Sequence, residues 1–116
     1  MKIVRLYTGP DGESHFEDVD IPVSDRGGVA LKSETIKATG IIFRESRSRD
    51  KYDWHNAPQR QFIVTLTGHV EIEISDGTKR QFGPGDIMLA EDTTGRGHLT
   101  RVLHNKPRTS IFVTLD

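Results

Sequence analysis

Gly and Pro, often beside Asp or Asn, interrupt this chain at short intervals. The clusters are Gly9-Pro10-Asp11-Gly12, Asp25-Arg26-Gly27-Gly28, Asp76-Gly77, Gly83-Pro84-Gly85-Asp86, Gly95-Arg96-Gly97 and Asn105-Lys106-Pro107. Each presets a turn, because Pro fixes φ, Gly admits left-handed backbone, and Asp or Asn can bond its own backbone two residues on. The runs between them are short and rich in β-branched residues and Phe. Short strands with this punctuation predict an all-β sandwich or barrel. With no internal repeat or low-complexity linker, the 116 residues are expected to form one domain, 1–116, able to bury a core without disulfides.

Residues 2–7 and 14–20 read as a first hairpin around Gly9-Pro10-Asp11-Gly12, expected at an edge of the fold. Residues 70–75, Val-Glu-Ile-Glu-Ile-Ser, alternate strictly, so Val70, Ile72 and Ile74 face a core while Glu71 and Glu73 face water. Segments 61–67, 78–82, 86–90, 98–103 and 109–115 continue the series, and Asp76-Gly77 closes a tight hairpin. The one weak helix candidate, residues 29–38, carries Ser33 and Thr35 with Thr39 just beyond, and these disfavour a helix interior. Little helix is expected.

Composition removes several functions. Sixteen Lys plus Arg against seventeen Asp plus Glu give a net charge of −1 with no basic stripe, which argues against nucleic acid or an anionic membrane as partner. The absence of cysteine excludes disulfides, thiolate metal sites and cysteine nucleophiles. No apolar stretch has the length of a signal peptide or a membrane span, so a cytoplasmic location is expected. There is no Ser-His-Asp order, Walker loop or dinucleotide fingerprint, and Gly83-Pro84-Gly85 is a turn rather than a phosphate cradle because no helix pattern follows it.

The chemistry-bearing stretch is residues 54–68, where His55, Ala57, Gln59 and Gln61 have equal parity and point together if no bulge intervenes. Pro58 makes a local irregularity there expected. His98, at the start of a strand after a glycine-flanked loop, is the candidate partner from a facing strand. Tyr52 and Trp54 adjoin His55 and are candidates for an aromatic wall of the same pocket; Trp54 could equally pack on a partner subunit. Asp92, in the loop before His98, could supply a carboxylate or cap a turn through its own backbone. Arg101 points opposite to His98 by parity, and Arg44 and Arg60 are left open as inward groups that would favour an anionic ligand. His15 and His69 are expected to face solvent, and His104 lies too far along for the same site.

These residues resemble the cupin superfamily, small jelly-roll β-barrels that often hold a divalent metal near one open end. The family's first motif has two histidines one residue apart, then a glutamate and a glycine. His55 and Gly68 fit its ends, while Ala57 and Gln61 stand where the second histidine and the glutamate would be. In the second motif, residues 85–90 fit the turn and strand and His98 fits the histidine, but the loop is longer, lacks its proline, and Val102 replaces an asparagine.

The resemblance implies an all-β, single-domain cupin-type jelly-roll β-barrel with little helix. It also implies a small-molecule pocket, in which His55, Gln61 and His98 would hold one divalent ion (Fe, Mn, Ni or Zn) in a dioxygenase, isomerase or lyase type of enzyme acting on a small polar organic compound. Equally open is a metal-free binding module, since Gln61 is neutral and Ala57 is no donor. A structural subunit with a vestigial pocket is the third reading. A homodimer is expected in each, because small β-barrels of this type leave edge strands to cover.

Overall fold

The computed structural model describes residues 1–116 and is built from strands, turns and irregular segments without helix. The strands are β1 (Lys2–Thr8), β2 (Ser14–Asp20), β3 (Ser24–Asp25), β4 (Leu31–Lys32), β5 (Gly40–Ser46), β6 (Lys51–His55), β7 (Gln61–Thr67), β8 (Val70–Glu73), β9 (Lys79–Phe82), β10 (Ile87–Glu91), β11 (His98–Val102) and β12 (Arg108–Thr114). A six-stranded sheet runs β2-β1-β10-β7-β12-β5, a four-stranded sheet runs β6-β11-β8-β9, and β3 pairs with β4.

The first hairpin forms in full register, from Lys2 opposite Asp20 to Thr8 opposite Ser14. Of these two strands β2 alone is an edge, because β1 also pairs in parallel with β10. Alternation in β8 places Val70 and Ile72 in the core, and Ile74 follows them there beyond the strand's end. Residues 29–38 hold only the short β4, as their Ser and Thr content requires. Four strands, β3 to β6, lie outside the expected series, and β5 and β6 complete the two large sheets.

The all-β jelly-roll class is as expected, with the barrel left open. No strand pair joins the two large sheets, so they face each other as the halves of a jelly roll. Their inner faces enclose a cluster that includes Leu6, Met88 and Ala90 from one sheet and Val70, Ile72, Phe82 and Val102 from the other. The chain crosses between sheets at residues 56–60, where Pro58 cannot donate a ladder hydrogen bond.

The outer face of the six-stranded sheet is apolar as well. Ile3, Phe62, Val64, Ile87 and Val113 lie there beneath Ile21, Val23, Leu31 and Ile36 of the segment that follows β2. That sheet therefore carries apolar residues on both faces, and its strands cannot show a clean apolar/polar alternation. No helix is long and apolar enough to cross a membrane.

Candidate ligand cavity

A cavity of about 350 Å³ opens between the two sheets. Alternation places its walls: Ile42, Arg44 and Ser46 from β5, Gln61, Ile63 and Thr65 from β7, Met88 and Ala90 from β10, Arg108 and Phe112 from β12. The opposite wall is Tyr52 and His55 from β6, Val70 and Ile72 from β8, Phe82 from β9, and His98 and Thr100 from β11. Ala57, Pro58 and Gln59 of the crossing segment close one side.

Tyr52 and His55 have opposite parity, yet both face the cavity. The register explains this: His98 is opposite His55 and Thr100 is opposite Tyr52, so three steps on β6 face two on β11. The extra residue is a bulge that resets the facing of β6 and turns the 42% exposed Trp54 away from the cavity. Gly97 seats this corner. Its φ is +78°, and a side chain there would collide with the carbonyl of His55, so the backbone before His98 approaches β6 only without a Cβ.

The two imidazoles lie with ring centroids 4.4 Å apart and are held from behind in different ways. His55 Nδ1 donates to the carbonyl of Asp53 at 2.7 Å. His98 Nδ1 donates to Asp92 Oδ2 at 2.5 Å, and the Ser14 hydroxyl donates to the same oxygen at 2.8 Å. Both partners are acceptors, so each neutral ring carries its proton on Nδ1 and keeps the Nε2 lone pair free. Asp92 is fully buried and its Oδ1 has no partner.

Two arginines share the cavity without an acid. Arg108, only 5% exposed, donates from Nη2 to Thr65 Oγ1 at 2.8 Å and from Nη1 to Ser110 Oγ at 3.4 Å. Its Nε–H is buried without a partner. Arg44 donates from Nη2 to the Tyr52 hydroxyl at 3.2 Å, and its guanidinium lies 4.8 Å from the Phe112 ring centre and 5.3 Å from that of Tyr52. Burial, then repulsion from Arg44, pushes the Arg108 guanidinium down to about 10, against a small opposing influence of Tyr52. Since the folded value lies below the unfolded one, the charge costs on the order of 3 kcal/mol at neutral pH, relieved only as pH rises above that value.

Of the residues singled out in the sequence, Tyr52, His55, Gln61 and His98 share the cavity wall, and Trp54 and Asp92 do not. Asp92 neither folds over the mouth nor caps a turn through its side chain; it sits behind His98. Arg44 faces in, whereas Arg60 turns out to Glu91 at 2.6 Å and Arg101 to Glu73 at 2.7 Å. His15 is partly exposed and bonds Asp11, while His69 packs edge-on against His104 with centroids 5.2 Å apart. Sequence reasoning passed over Arg108, Ser46, Thr65 and Thr100; only the parity that Arg108 shares with Phe112 marked it, against the opposite pull of Ile111 and Val113.

No family model matches the sequence, and no curated protein matches it significantly. Solved structures do match the fold. A Cupin 2 conserved barrel domain protein from Salinispora arenicola is similar with a TM-score of 0.53 and 18% identity over 66% of this chain and 61% of that one. The present chain thus spans under two thirds of that relative's length. The cupin domain of Cnp3 from Schizosaccharomyces pombe gives 0.50 with 8% identity over 99% of this chain and 84% of that one.

The chain has the cupin fold. Protein NMB1881 from Neisseria meningitidis is a further match, with a TM-score of 0.50 and 13% identity over 81% of this chain and 80% of that one.

The donors on the cavity wall do not fit a resident divalent cation. His55 and His98 offer two neutral nitrogens and Gln61 a neutral amide, and no carboxylate lines the cavity. The nearby acid, Asp92, does not line the cavity and its Oδ2 accepts from His98 and Ser14. No group of three His, Cys, Asp or Glu is arranged to hold a metal ion. Two guanidiniums in the same cavity add repulsion to the missing charge compensation.

Proposed function

We propose that this cupin is a metal-independent small-molecule-binding protein whose ligand occupies the cavity between the sheets. The observation that carries the reading is the convergence of Arg44, Arg108, His55, His98 and Gln61 on one largely apolar cavity. Apolar walls with a few placed polar groups are what orient a compact organic ligand. His98, oriented by Asp92, offers Nε2 as acceptor for a ligand hydroxyl, the arrangement of a general base as well as of a binding contact.

The reading is tested by thermal melting of the protein against a panel of small organic compounds with excess chelator present. Stabilisation that persists in chelator supports it. Stabilisation that needs Fe, Mn, Ni or Zn and vanishes on chelation contradicts it.

A homodimer belongs to the same proposal. The edge strand β5 presents Ile41 and Phe43 at 56% and 75% exposure, whereas the opposite edge, β2, ends in acids. An apolar edge with unpaired backbone groups is suited to pairing with a second copy. Light scattering should give the dimer mass for the wild type and the monomer mass for Phe43→Lys; a monomeric wild type sinks the idea.

A further inference from the structure

We infer that the ligand is a small organic acid, with Arg108 and Arg44 forming its carboxylate subsite. This rests on the small-molecule reading above and names its substrate class. A guanidinium carries five N–H donors, and the structure gives Arg108 partners for two of them, the hydroxyls of Thr65 and Ser110. Its Nε–H is orphaned although the residue is almost wholly buried. Arg108 lines the cavity with hydroxyl partners only, and a carboxylate accepts from a guanidinium in two parallel hydrogen bonds.

Charge points the same way. Neither cavity arginine meets an acid, and Arg44 is held by the Tyr52 hydroxyl and by aromatic faces alone. A buried cation without a counter-ion lowers stability unless something binds it. An incoming anion supplies the missing charge, and its affinity gains what the empty cavity lacks.

The rest of the lining selects the kind of anion. Ile42, Ile63, Phe112, Val70, Ile72 and Phe82 surround the polar groups, which suits an acid with an apolar body rather than a heavily hydrated phosphate. The arginines stand on β5 and β12 and the imidazoles on β6 and β11, in opposite sheets. The acid therefore spans the cavity, its carboxylate on the arginines and its far end, best a hydroxyl or carbonyl, at His55 and His98.

Titration calorimetry in chelator decides the matter with benzoate and hexanoate, the matched benzamide and hexanamide, and inorganic phosphate. The acids should bind about tenfold or more tightly than their amides, and Arg108→Met should weaken the acids far more than the amides, closing the gap between them. Arg44→Met should weaken the acids by a smaller factor, and this arm with the wild-type acid/amide ratio carries the test if Arg108→Met fails to fold. Amides binding as well as acids would overturn the carboxylate subsite and leave the small-molecule reading standing. So would phosphate binding as tightly as the acids, or acid affinity untouched in both variants. Binding of none of these probes would overturn the subsite as well.

Discussion

The arginines on the outside of this protein and those inside its cavity live under opposite rules. Outside, Arg5 and Arg60 grip the two oxygens of Glu91 from either side, at 2.5 and 2.6 Å, and Arg101 reaches Glu73 at 2.7 Å. Inside, Arg44 and Arg108 have hydroxyls and aromatic rings but no acid. The outer groups could be hydrated at little cost and are paired nonetheless; the inner ones are costly to bury and are left unpaired. That inversion teaches where this fold serves itself and where it serves a ligand, because strain of this kind is retained where something else relieves it.

The largest effect that sharpens the contrast is expected from the buried acid behind His98. Asp92→Ala leaves the His98 Nδ1–H and the Ser14 hydroxyl without their acceptor in a buried place, and should cost about 3 kcal/mol in urea denaturation. A loss below about 1 kcal/mol would mean that the buried acid is not what holds His98.

A smaller effect is expected at Glu91. Burial alone would raise its carboxyl pKa, but the hydrogen bonds from Arg5 and Arg60 outweigh burial and hold it below the usual glutamate value. A lowered folded value means stability present above the unfolded pKa and lost as pH falls through the folded one. Glu91→Gln should therefore cost about 1 kcal/mol at pH 7, given that both arginines are partly exposed, and the difference from wild type should close in acid. A difference that stays constant down to about pH 2 would remove the ion pairs from the account.

How far the sequence reveals all this depends on what each strand faces. The β8 run has one core face and one wet face, and its alternation places Val70 and Ile72 without error. The β12 run misleads. In Arg-Thr-Ser-Ile-Phe-Val-Thr the eye puts Ile111 and Val113 in the core, yet Arg108, Ser110, Phe112 and Thr114 are the buried set. The outward face is apolar where it lines a groove with the segment after β2, and the inward face is polar because it lines the cavity.

His55 and His98 were legible because motif spacing marks them, and Gln61 followed from parity across the crossing segment. The outward turn of Trp54 was not, since the β6 bulge that sets it leaves no local sequence sign. Nor was the place of Asp92, whose partner Ser14 lies 78 positions away. Contacts of that separation are products of the sheet order rather than of any local pattern.

The most direct test of the central claim is the melting temperature of ligand-free Arg108→Met at neutral pH. If the unpaired guanidinium is held for a ligand, an apolar side chain of similar length in its place should melt at or above the wild-type temperature, because the buried charge it removes is a cost to the empty protein. A fall of about 5 °C or more would show Arg108 to be a structural bond of the sheet and would contradict the account.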